Sequence, residues 1–207
     1  ANARLAALTV QRFQPAKAWY RWEAKLYTNR VSHKMDDSKR PDVPMHMDMP
    51  GISQTTGFFI EASARMAHAH SLQLRFDGAS TFLSASMTMY APGQAPMYML
   101  TWPDNRRNQS GLSATWQWRP DSLYTIRAIG RIDVVQSRLT SQEAKDYIGI
   151  VNGNTANRLD ILHNLSLTAT RQFPHKWQLQ ASAGMAERMP TASELYGFYL
   201  FNAFDNY

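Results

Sequence analysis

Side-chain character alternates with a period of two along most of this 207-residue chain, and the ions keep to one side of the alternation. Between 18 and 28, Tyr20, Trp22, Ala24 and Leu26 fall on one face and Arg21, Glu23, Lys25 and Tyr27 on the other. Successive residues of an extended chain point to opposite sides, so this pattern specifies strands with one apolar and one polar face. It recurs over 58–66, 72–77, 112–119, 124–133, 160–169 and 177–183, and a weaker run over 8–13 brings the expected strands to eight. His163 is the one awkward member, falling on an apolar face.

The expected connections alternate in length. Segments 14–17, 68–70, 120–122 and 174–175 carry Pro, His, Asp and Ser and read as tight turns, whereas 30–55, 84–108 and 136–157 read as long polar loops. Short turns at one rim and long loops at the other describe an outer-membrane β-barrel whose short turns face the periplasm. Five of the six tryptophans, Trp19, Trp22, Trp116, Trp118 and Trp177, lie near the short turns, as an aromatic girdle at a lipid interface requires.

Hydrophobic residues make up 44% of the chain, yet mean hydropathy is −0.44 and no apolar run reaches the roughly 18 residues that a membrane helix needs. Barrel strands need only about 9 to 11 residues with every second one apolar, so low hydropathy is compatible with a membrane location. The alternative of another class is a soluble β-sandwich binding module. Lys and Arg exceed Asp and Glu by 22 to 16, but the charges are spread singly along the strands, which argues against nucleic acid as a partner. No cysteine is present, so disulfides and thiolate metal sites are excluded. No signal peptide opens the chain at Ala1, from which a mature or truncated protein is expected.

Chemistry concentrates at the long-loop end. Met45, Met47 and Met49, then Met87 and Met89, then Met97 and Met99 are spaced two apart, so on an extended chain each set points its thioethers one way. His33 and His46 lie at the same rim, offering imidazole beside thioether, a donor set that suits a soft cation such as Cu(I). These nine residues are the candidate metal ligands. Two other uses stay open: methionine is an adaptable packing residue, and Asp36, Asp37 and Asp48 offer oxygen to harder ions. Extended geometry aims His46 away from Met45, Met47 and Met49, so a site using both needs a turn near Pro44 or Pro50. No nucleophile elbow, His-Glu-x-x-His, P-loop or Gly-x-Gly-x-x-Gly occurs, and no enzyme activity or resident cofactor is expected.

Three stretches carry a resemblance. Leu26 to Asp36 is similar to the strand-to-loop passage of TonB-dependent outer-membrane receptors, Ile129-Gly130-Arg131-Ile132-Asp133 to a strand of that family, and Arg188 to Gly197 to its Arg-x-Pro-(Thr/Ser)-x-x-Glu-Leu-Tyr element. The resemblance runs nearly the length of the chain. It implies an all-β antiparallel transmembrane barrel of about 22 strands closed by a plug, of which residues 1–207 supply about eight strands and neither plug nor remaining barrel. It further implies residence in the bacterial outer membrane, active import driven by the TonB energising complex through that plug, and a metal or metal chelate as cargo. The methionines and histidines resemble the copper-handling branch, with copper as transported ligand. A receptor for a siderophore or another organic nutrient is the alternative within the family.

Overall fold

The computed structural model describes residues 2–37, 39–40, 43, 45–66, 69–152 and 156–196. Eight strands, β1 (Asn2–Phe13), β2 (Trp19–Asp36), β3 (His46–Arg65), β4 (His70–Tyr90), β5 (Met97–Trp118), β6 (Tyr124–Leu139), β7 (Asn157–Gln172) and β8 (Gln178–Ala186), form one sheet. Each pairs antiparallel with its sequence neighbours, and the sheet is open: β1 and β8 each pair on one side only. All eight expected strands are present. No second sheet packs on this one among the described residues, which overturns the sandwich reading.

Register aligns the apolar residues into rows that cross the sheet. Trp22, Ala62, Leu74, Ala114, Gly130 and Leu165 stand opposite one another in succession, as do Ala24, Ile60, Phe76, Leu112 and Ile132 one step along. His163 completes the latter row and therefore does lie on the apolar face. This face is bare: Leu112 is 58% and Ile132 52% exposed. The opposite, polar face is sheltered, with Asp133, Val135 and Ser137 buried. From the row of Trp118 and Ile126 to that of Val134 and Ile161 the apolar band extends eight residues, about 27 Å along a strand and about 20 Å once the usual tilt is applied. That height suits the hydrocarbon layer of a membrane. No helix among the described residues is long and apolar enough to cross a membrane, which says nothing about crossing by strands.

Aromatics gather on the apolar face at the short-turn end. The Trp19 and Trp22 rings lie 5.7 Å apart, and His70 stacks on Trp116 and Trp118 at 5.5 and 6.0 Å. A register shift between Trp19 and Arg21 corrects one expected face: Tyr20 turns to the polar side, where the Arg65 guanidinium lies 4.8 Å over its ring.

The long connections are shorter than expected. Strands β2 to β5 run beyond the apolar band, so Met47, Met49, Met87, Met89, Met97 and Met99 are ladder residues rather than loop residues. Segment 136–157 also contains a helix, α1 (Gln142–Asn152), entered where the Ser141 hydroxyl accepts the Ala144 amide at 3.1 Å. Past β8 a short helix, α2 (Ala192–Tyr196), lies on the polar face, where Tyr196 packs with Leu139 and Ala144. Pro44 and Gly197 lie outside the described residues.

Candidate functional site

Strand alternation and register place the methionines. All seven occupy odd positions, and β3, β4 and β5 keep their odd residues on the polar face, so every thioether falls on that side at the end away from the short turns. Met47 stands opposite Met89 and Met89 opposite Met97; Met87 stands opposite Met99. A two-residue irregularity in β5 beside Ala85 preserves this parity. Met87, Met89 and Met99 are buried together at 5%, 1% and 4% exposure, and Met45, Met47 and Met49 pack against them. Met97 lies at the start of β5, half exposed and outside the packed group. Six of the seven expected methionines are thus gathered into one thioether-rich cluster.

The two histidines part company. His33 stands opposite Gly51, one step along from the Met35–Met49 pair and on the methionine side. A Cβ on Gly51 would sit 3.2 Å from the His33 ring, so the missing side chain makes room for the imidazole. His46 alternates to the other side, and its Nδ1 lies 3.2 Å from Asp37 Oδ1. The same oxygen accepts the Met47 amide at 3.1 Å. Desolvation alone raises the Asp37 carboxyl, but the Met47 amide and the His46 ring outweigh it and hold the group below its ordinary value. Asp37 thereby pins the entry to β3 and with it the alternation of Met47 and Met49. No group of three or more His, Cys, Asp or Glu gathers among the described residues; the side chains that do gather at this end are the six packed methionines.

Below the methionines the sheltered face carries fixed ions. Arg131 donates to Asp77 through two nitrogens at 2.8 and 2.9 Å and to Asp133 at 2.8 and 2.6 Å. Arg75 lies 3.7 Å from Glu61, 3.5 Å from Asp77 and 4.0 Å over the Phe59 ring. Alternation alone puts these charges on the polar face; their partners follow from register, through which opposed strands meet. The Arg188-to-Tyr196 stretch also proves to be structural. Arg188 clasps Glu194 at 2.7 and 2.8 Å, Met189 and Tyr196 are buried, and the Pro190 carbonyl accepts from Arg107 at 3.5 Å.

No family model matches the chain, and no curated protein does. Among solved structures the chain is similar to the copper transporter OprC, with a TM-score of 0.75 at 19% sequence identity. The match covers 93% of this chain and 30% of that one, so the chain spans under a third of the transporter's length. At that identity the likeness establishes the fold: the open sheet corresponds to a run of barrel strands.

Proposed function

We propose that this chain is part of an outer-membrane barrel that imports copper. The reading rests on the apolar band and the family-like stretches, and its cargo on one observation: six methionines assembled on the sheltered face at one end of the sheet. Thioether sulfur is soft and matches Cu(I), and His33 adds imidazole on the same side. Met97, half exposed opposite Met89, is the most exposed of the seven methionines and His33 lies inward of Met49, so a cation would pass from rim to interior along these groups. The charged face below supplies a polar wall for passage. A TonB-type energising complex, acting through a plug, is the proposed partner that drives release, and the likeness to a copper transporter supports this cargo.

A second reading is favoured by the burial itself. Met87, Met89 and Met99 touch one another, as adaptable side chains do when they form a platform for a plug or an apolar chelate. Metal analysis of the full-length protein after equilibration with Cu(I), Zn(II) and a ferric siderophore separates the two. Copper should be retained by the parent and its affinity fall at least about tenfold when the seven methionines are changed to Leu. Unchanged copper retention in that variant, or none in the parent, would leave the platform reading standing and remove copper.

A further inference from the structure

The apolar face ends in a row of arginines. One step beyond Thr28, Thr56, Ser80, Asn108 and Gln136, register brings Arg4, Arg30, Gln54, Phe82, Arg106 and Arg138 to a single level across six strands. Alternation puts all four guanidiniums on the side of Leu26, Ile60 and Ile132, facing outward, at the end that carries the methionines. Arg4 stands directly opposite Arg30, and Arg106 directly opposite Arg138. Like charges so placed, with Cβ atoms about 4.5–5.5 Å apart, destabilise a sheet.

Among the described residues nothing relieves that repulsion. Among the described residues the ion pairs engage Arg21, Arg75, Arg131, Arg158 and Arg188, but none of the four outward arginines. All four are exposed. A cleft of about 260 Å³ opens between Arg4 and Arg30, with Asn2 and Ser32 completing its lining. It is an outward-facing, polar and cationic recess separated from the apolar band by a single row of Thr, Ser, Asn and Gln.

We propose that the Arg4–Arg30 and Arg106–Arg138 pairs each bind the phosphate of a lipid headgroup in the leaflet beside the methionine end. A phosphate set between two guanidiniums offers each a bidentate partner and replaces their repulsion with attraction. The acyl chains then lie on the apolar rows below, Leu26 and Phe58 on one side and Val134 and Ile161 on the other. That continuity from cation row to apolar band fixes the occupant as a lipid rather than a free anion. The proposal rests on the membrane reading given above.

Native mass spectrometry of the detergent-solubilised full-length protein tests it, with a bisphosphorylated glucosamine lipid, its dephosphorylated form and inorganic phosphate as probes. The parent should retain the phosphorylated lipid in preference to the other form. Arg4→Gln/Arg30→Gln and Arg106→Gln/Arg138→Gln should each remove one retained lipid, with a loss of roughly thirtyfold per pair, and paired Lys substitutions should restore part of it. Heat-dependent gel migration shows that each variant is folded; should one pair fail to fold, the other decides. Equal retention of both lipid forms, unchanged retention in both pair variants, or displacement of the lipid by inorganic phosphate would overturn the proposal. Failure of the parent to insert into vesicles would sink the membrane reading with it, whereas insertion without headgroup preference sinks this inference alone.

Discussion

At Gly111 a missing side chain lets a cation cross a strand. Asp77, Gly111 and Asp133 stand at one level on β4, β5 and β6, and Arg131 reaches from β6 over Gly111 to Asp77 while also holding Asp133. A Cβ on Gly111 would overlap both the Arg131 guanidinium and the Asp133 carboxylate. Gly111→Ala is therefore expected to push the guanidinium aside and leave the nearly buried Asp133 without its cation. Because Arg131 keeps some access to water, the cost is on the order of 1–3 kcal/mol rather than that of a fully buried pair. Urea midpoints of the reconstituted full-length protein check it, with Gly130→Ala as control, where a Cβ meets only Leu165 at an ordinary 3.5 Å. Equal midpoints for the two variants would remove the bridging role from Gly111. Arg131 and Asp133 are legible as polar-face charges because they alternate against Ile132. The partner of Arg131 across 54 positions of chain, Asp77, is not, since local spacing carries no information about register.

The Arg188-to-Tyr196 stretch works as a clasp at the scale of an element. Thr191 Oγ1 accepts the Glu194 amide at 3.2 Å while the Glu194 carboxylate accepts the Thr191 amide at 2.6 Å, a reciprocal cap that starts a helix of five residues. Arg188 first, and the Thr191 groups after it, lower the Glu194 carboxyl from 4.5 to about 2. Its folded value lies below its unfolded one, so the clasp contributes fully above about pH 4.5 and is lost as pH falls through about 2. A nitroxide on Ala192→Cys should give an unchanged spectrum from pH 7 to pH 5 and a sharper, more mobile one toward pH 2. Glu194→Gln should be mobile at every pH; a rigid Gln variant would show that burial of Tyr196 alone holds α2. The family-like motif marked this element, but not that its conspicuous residues hold one another. Helix α1 is hidden in the sequence for a related reason: Ser141 and Glu143 are cap signals that equally suit a polar loop. The strand extensions leave no such mark, because apolar alternation stops at the edge of the band, whereas the backbone ladder continues to Asp36 and Tyr90.

Across the whole molecule the two ends of the sheet differ in kind, and that asymmetry predicts an orientation. Tryptophans and His70 crowd the apolar face beside the short turns; the arginine row and the methionine cluster occupy the far end. The gross form was legible, because alternation of apolar and polar residues needs only period two. The assembly of the methionines was legible in part: spacing aimed each set one way, but only register shows Met47, Met89 and Met97 side by side. On the proposed import function the first ligands face outside, so the turn between β4 and β5 is expected at the cell surface and that between β5 and β6 in the periplasm. Gln94 and Ser122 are exposed residues of these two turns. In the full-length protein, Gln94→Cys should react with a membrane-impermeant maleimide on intact cells, and Ser122→Cys only after the outer membrane is permeabilised. Labelling of Ser122→Cys alone on intact cells would invert the topology, place the methionines where cargo leaves rather than enters, and turn the arginine row toward the inner leaflet.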